Sequence, residues 1–157
     1  MKFTSKGNLD LLSNIYKRVG IIGSRNVGSK ELETAFAIGL DRSLDGYVVV
    51  TGMAAGIDTW AMVGALRDGV NHIAVIPSID YEGIPQNNHI LLEEILEKKG
   101  LIIAPENPVK DFKKMYLRRN DLLLEHIDEL ITVGKLGSGA AYTAAAATRL
   151  GIKVTNL

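Results

Sequence analysis

Three short segments of this chain concentrate the residue types that hold phosphate. The first reads Gly23-Ser24-Arg25-Asn26-Val27-Gly28-Ser29. Ser24 brings a hydroxyl and Arg25 a planar cationic fork that matches phosphate oxygens, while Ser29 is placed to cap a following helix. The second reads Thr51-Gly52-Met53-Ala54-Ala55-Gly56-Ile57-Asp58. Its glycines and alanines leave backbone open to close approach, and Asp58 can cap a helix or bond a ribose or a neighbouring amide. The third reads Gly134-Lys135-Leu136-Gly137-Ser138-Gly139-Ala140, with Thr143 one turn into the helix beyond. Unpaired N–H groups at helix starts, aided by the helix dipole, make such loops anion sites. Each segment alone also reads as a plain strand-to-helix turn. For Ala54 and Ala55, close packing weighs at least as much as ligand contact; Gly52 and Gly56 read as a ligand-facing turn. The joint occurrence carries the phosphate reading.

A fourth segment, Tyr116-Leu117-Arg118-Arg119-Asn120, sets an aromatic ring beside two cations. That combination suits base stacking plus phosphate contact. Adjacent arginines point different ways on a helix, so one faces a site and the other solvent, unless both belong to a solvated face. Other chemistries are unsupported. The first loop is not GxGxxG, and the third lacks the GK[ST] ending of a nucleotide-hydrolysing P-loop. There is no GxSxG elbow and no cysteine, which removes disulfides, thiolate metal sites and thiol nucleophiles. His72, His89 and His126 stand apart, without the spacing of a metal site. Glu106 reads as a surface acid in preference to a general base. No cofactor is expected.

Lys+Arg and Asp+Glu are equal at 18 each, so overall charge does not attract a polyanion, although a local basic groove remains open. The amino-terminal residues form no signal-like apolar run, and no stretch nears the roughly 20 apolar residues of a membrane span. A cytoplasmic protein without a membrane partner is expected.

The elements that must position these loops follow from periodicity. Apolar runs occur at 18–23, 46–51, 72–77, 101–104 and 129–133, with a short last run at 152–154. Most lack alternation, as strands do when helices cover both faces of a parallel sheet. Between them, Leu32, Phe36 and Leu40 share a helix face, as do Ile57, Ala61 and Ala65. Further helices are expected from Leu91, over 111–125, and from about Ala140 to Leu150. Strand–helix alternation predicts an α/β, Rossmann-like, doubly wound and mainly parallel sheet of about six strands, in one domain over 1–157. Leu9, Leu12 and Tyr16 predict a helical extension within residues 1–17.

In this order the residues resemble the DprA/Smf family of DNA-processing proteins. Gly23-Ser24-Arg25 matches that family's GSR turn. Residues 51–66 follow its pattern SGxAxGIDxxAHxGAL, with Met62 in place of the histidine. Pro85, Asn88, Glu106, Pro108, Phe112, Arg119-Asn120 and the run 138–144 echo later motifs. Asp121 replaces the second arginine of RNR, and Ala140 the second serine of SGSxxTA. The resemblance implies a non-catalytic protein that binds single-stranded DNA, hands it to a recombinase of the RecA type and acts as a homodimer. The chain reads as a stand-alone core without flanking helical and winged-helix domains. Implied phosphate contacts are Arg25 first, with Arg118, Arg119 and Asn120 in support, on a scaffold of Gly23, Ser24, Gly52, Ala54, Gly56, Asp58, Gly137, Ser138, Gly139 and Thr143. The wider, LOG-like superfamily also holds nucleotide-binding proteins and nucleoside-monophosphate hydrolases. A small-nucleotide binder or sensor is therefore the alternative; the hydrolases' PGGxGTxxE glutamate has no counterpart here.

Overall fold

A computed structural model describes residues 1–157. In chain order the strands are β1 (Phe3–Gly7), β2 (Arg18–Gly23), β3 (Val48–Thr51), β4 (Ile73–Val75), β5 (Leu101–Pro105), β6 (Glu129–Val133) and β7 (Lys153–Asn156). The helices are α1 (Ser29–Leu44), α2 (Ile57–Arg67), α3 (His89–Glu97), α4 (Phe112–Leu124) and α5 (Ser138–Arg149). They make an α/β Rossmann-like fold around one seven-stranded sheet, ordered β1-β5-β4-β3-β2-β6-β7. Strands β2 to β7 run parallel, and β1 lies antiparallel on β5 at one edge.

Unalternated apolar strands become a two-sided core because successive side chains point to opposite faces. Val19, Ile21, Val49, Ala74, Ile102 and Ile131 pack towards α1, α2 and α3. Ile22, Val48, Val50, Ile73, Leu101 and Leu130 pack towards α4 and α5. Helices α1 and α2 cross at backbone contact. A Cβ on Gly39 would lie 2.0 Å from the Ala61 carbonyl oxygen, and one on Gly64 2.1 Å from that of Phe36.

The chain steps outward from β2 through β3, β4 and β5, then returns to place β6 on the other side of β2. Strand order therefore reverses between β2 and β6, and ligands of open α/β sheets bind at such a reversal, outside the strand carboxyl ends.

The amino terminus departs from expectation. Residues 1–17 hold strand β1 and a 3-10 turn over Leu9–Leu12 in place of a helix. Leu11 is the fully buried residue and Leu12 and Tyr16 pack against the core beside it, while Leu9 is 52% exposed, so of Leu9, Leu12 and Tyr16 the first does not face inward. With β1 the sheet has seven strands where about six were expected. The cap of α1 is Gly28, not Ser29, and α5 begins two residues before Ala140.

Candidate functional site

Strands β2 and β6 end side by side, with Gly23 opposite Val133. Their outgoing loops are fastened by one hydroxyl. Ser24 Oγ donates to the Lys135 carbonyl at 2.8 Å and accepts the Gly137 N–H at 2.7 Å. A cleft of about 890 Å³ opens over this strap and is walled by the first and third loops, Ala54, α4 and the start of α5.

The charge lining the cleft is unequal. Arg25, Lys113, Arg119 and Lys135 line it, against the single carboxylate of Asp58. Tyr116 stands among the cations: Arg25 Cζ lies 4.5 Å and Arg119 Cζ 5.3 Å from its ring centroid, within cation–π range. The Tyr116 hydroxyl donates to the Gly83 carbonyl at 2.9 Å. A smaller chamber of about 280 Å³ shares Arg25, Ala54 and Tyr116 with the cleft and is closed by Gly83, Ile84 and Pro85.

The floor is built by bracketing one residue, Gly52, through both of its backbone polar groups. Asp58 Oδ2 accepts the N–H groups of Gly52 at 3.1 Å and Ala54 at 3.4 Å. Arg119 Nη1 donates to the Gly52 carbonyl, and Arg119 Nε to Asn120 Oδ1 at 2.7 Å. Both ionic side chains are buried. Burial pushes the Asp58 carboxyl up to about 6, against the opposing pull of Arg119 and of the amides it accepts. Burial likewise lowers the Arg119 guanidinium, and Asp58 opposes that shift.

Met53 follows in the left-handed region at φ 56°, a strained conformation for a bulky residue. Hydrogen bonds hold it there. Its N–H donates to Thr51 Oγ1 at 3.3 Å, and its carbonyl accepts Asn88 Nδ2 at 2.8 Å. Asn88 Nδ2 also donates to Thr59 Oγ1, whose hydroxyl donates to the Ala54 carbonyl at 2.7 Å.

Among the helices that start at the loops, the first turn of α5 lines the cleft, while that of α2 is buried behind the first loop and carries the Asp58 carboxylate. α1, α2 and α5 follow Gly28, Gly56 and Gly137, with no side-chain cap. By contrast, Asp111 caps α4 by accepting the Lys114 N–H at 3.0 Å.

Of the residues singled out in the sequence, Gly23, Ser24, Arg25, Ala54, Asp58, Arg119, Asn120, Gly137, Ser138 and Gly139 all line the cleft. Gly52 and Gly56 sit behind it. A Cβ on Gly52 would lie 2.9 Å from Arg119 Cζ, and one on Gly56 2.7 Å from the Ser24 carbonyl oxygen. Both glycines let loop and side chain close on one another, so neither is the ligand-facing turn expected. Gly23 does the same against Ile57. Thr143 is buried and donates to the Gly139 carbonyl at 3.0 Å. Arg118 turns away and donates to the carbonyls of Asn107 and Glu106 at 2.6 and 2.9 Å. Asp121 does not line the cleft. Lys113, Lys135 and Tyr142 line the cleft without having been singled out. The signal for Lys113 was available, because it precedes Tyr116 by one helical turn.

The profile of one family, described as DNA recombination-mediator protein A, matches residues 2–157. DNA processing protein DprA of Streptococcus pneumoniae is 30% identical over 143 residues, which are 88% of this chain and 48% of that protein. A solved structure of DNA processing protein A from Helicobacter pylori, concerned with its single-stranded DNA binding mode, is 28% identical with a TM-score of 0.83. The match covers 99% of this chain and 71% of that one. A molybdenum cofactor binding protein from Rippkaea orientalis shares the fold, at 20% identity and a TM-score of 0.69, over 92% of this chain and 77% of that one. The chain spans about half the length of the curated relatives it matches.

Proposed function

The chain belongs to the DNA recombination-mediator protein A family, and from that premise we propose that its cleft binds single-stranded DNA without catalysing a reaction on it. The observation that carries this reading is the concentration of Arg25, Lys113, Arg119 and Lys135 around Tyr116 in a chain of zero net charge. Arg25 is the leading phosphate contact, with Lys113 and Lys135 as further cations in the lining. Tyr116 offers a ring on which a base stacks, which is sequence-tolerant because every base has a π-face. The uncapped first turn of α5 offers amides to a phosphate. Arg119 supports Tyr116 and Gly52 from behind and makes no phosphate contact of its own.

The non-catalytic reading rests on the family premise. Asp58, the carboxylate in the cleft wall, is given a structural part, accepting the Gly52 and Ala54 amides. The family premise extends the proposal to delivery of the strand to a RecA-type recombinase in the cytoplasm, with the protein acting as a homodimer. No helix is long and apolar enough to cross a membrane.

A mobility-shift titration with oligo-dT at low and high salt tests the proposal. Binding should be present at low salt and fall steeply as salt rises, and a competing duplex should bind more weakly. Absence of binding at low salt overturns it, because phosphate contacts are strongest there. A second reading, one nucleotide held by the same loops, draws on the chamber of about 280 Å³ beside the cleft. Thermal shifts with AMP and ADP-ribose that exceed the shift with oligo-dT would favour it.

A further inference from the structure

The cleft accounts for Tyr116 and Lys113, but α4 carries a second aromatic outside it. Phe112 is 59% exposed, a large unpartnered apolar surface at the first residue of the helix. It lies one turn before Tyr116. The two rings are 6.4 Å apart between centroids with an interplanar angle of 25°, a near-parallel pair. One member of the pair lines the cleft and the other does not. The rings therefore form a short stepped track from the cleft out over the start of α4.

Cations accompany this track. Lys110, Lys113 and Lys114 are all exposed, and Lys113 lines the cleft. The acids nearby are Glu106 and Asp111. Asp111, also exposed, accepts the Lys114 N–H as the cap of α4. The Arg118 guanidinium is occupied by the carbonyls of Glu106 and Asn107 and is not counted.

We propose that Phe112, with Lys110 and Lys114, forms an exit platform on which a single-stranded nucleic acid continues after leaving the cleft. This inference rests on the cleft reading above and deepens it, because a platform is useless to a mononucleotide and serves a polymer. Exposed aromatics interleaved with lysines are the combination that holds a strand without reading its sequence. A protein partner would need a complementary apolar knob; an extended polyanion needs only stacking faces and phosphates, which match both halves of this surface.

The test compares two probe lengths on the intact chain: an oligo-dT trinucleotide, which the cleft alone accommodates, and a fifteen-nucleotide oligo-dT. Phe112→Ala should weaken the long probe by about 5- to 150-fold, the range for loss of one stacked base. The trinucleotide should be held within about twofold, as expected when no cleft contact is lost. Phe112→Tyr should restore the long probe, and Lys110→Gln with Lys114→Gln should weaken the long probe and flatten its salt dependence while leaving the trinucleotide unaffected. Unchanged affinity of Phe112→Ala for the long probe overturns the platform and leaves the cleft reading intact. Equal weakening of both probes also overturns it, because Phe112 would then act on the cleft itself. Failure of the unsubstituted chain to bind either probe removes the cleft reading and the platform with it.

Discussion

Replacing Arg119 by methionine separates the supporting role given to it here from the role of phosphate contact. Arg119 is 4% exposed and donates to the carbonyl of Gly52, the residue whose N–H is bound by Asp58. Methionine keeps much of the volume, so cavity formation contributes little. The loss is a charged hydrogen bond, a buried carbonyl left without its donor, and a buried carboxylate without its nearby cation. Together these cost about 2–4 kcal/mol, a fraction of the 5–15 kcal/mol typical of a domain, so the variant should fold. The charge-dependent share carries a pH signature. Arg119 restrains the Asp58 pKa, which stands at about 6, so its removal lets that value climb. A carboxyl whose folded pKa exceeds its unfolded value near 4 favours folding when protonated and opposes it when ionised. The deficit of Arg119→Met should therefore be largest at pH 8 and shrink as pH falls through the raised Asp58 pKa. Urea denaturation of both proteins from pH 4.5 to 8 measures this, and adding Asp58→Asn should recover the charge-dependent share. A deficit below about 0.5 kcal/mol, or one that does not vary with pH, would refute the account of Gly52 held between Asp58 and Arg119.

Two other perturbations follow from the same structure. His72 is buried, accepts the Val49 N–H at 3.0 Å on Nδ1 and pairs Nε2 with Ser43 Oγ; burial lowers its pKa to about 4. A histidine with a depressed pKa contributes stability above its unfolded value near 6.5 and loses it as pH falls through 4. The stability difference between the unsubstituted chain and His72→Gln should thus fall by on the order of 3 kcal/mol across that window, and a constant difference would count against it. Ser24→Ala removes the strap between the first and third loops. It should cost about 1 kcal/mol and speed amide hydrogen exchange over 135–139, whereas unchanged exchange there would show the strap to be idle.

Much of the architecture was legible because apolar strands buried on both faces leave an unbroken signal. The observed β6 has the bounds read from Glu129 to Val133, and β2 those read from Arg18 to Gly23. β1 was not legible. Phe-Thr-Ser-Lys-Gly is an exposed edge strand, held by backbone pairing to β5 that composition does not reveal. The loops of the site were visible as glycine clusters, but the reason for each glycine was not. Gly52 and Gly56 make room for Arg119 and for the first loop, contacts distant in sequence. Nor does sequence decide between Arg118 and Arg119. They differ by about 100° around α4, and tertiary packing buries one while the other ties down the 106–107 turn. A balanced total of charged residues also concealed the local excess, which appears only when Lys113 and Lys135 are folded to the same opening.

The central claim, a cleft that binds the phosphates of single-stranded DNA, is tested most directly by the salt dependence of oligo-dT affinity, measured for the unsubstituted chain and for Arg25→Ala. Each single-strand phosphate contact contributes a slope of roughly −0.7 in log affinity against log salt. Contacts from Arg25, Lys113 and Lys135 give a slope of about −2 for a strand confined to the cleft, and Arg25→Ala should reduce its magnitude by about 0.7 while weakening binding at every salt concentration. A slope near zero, or one that Arg25→Ala leaves unchanged, would contradict the account.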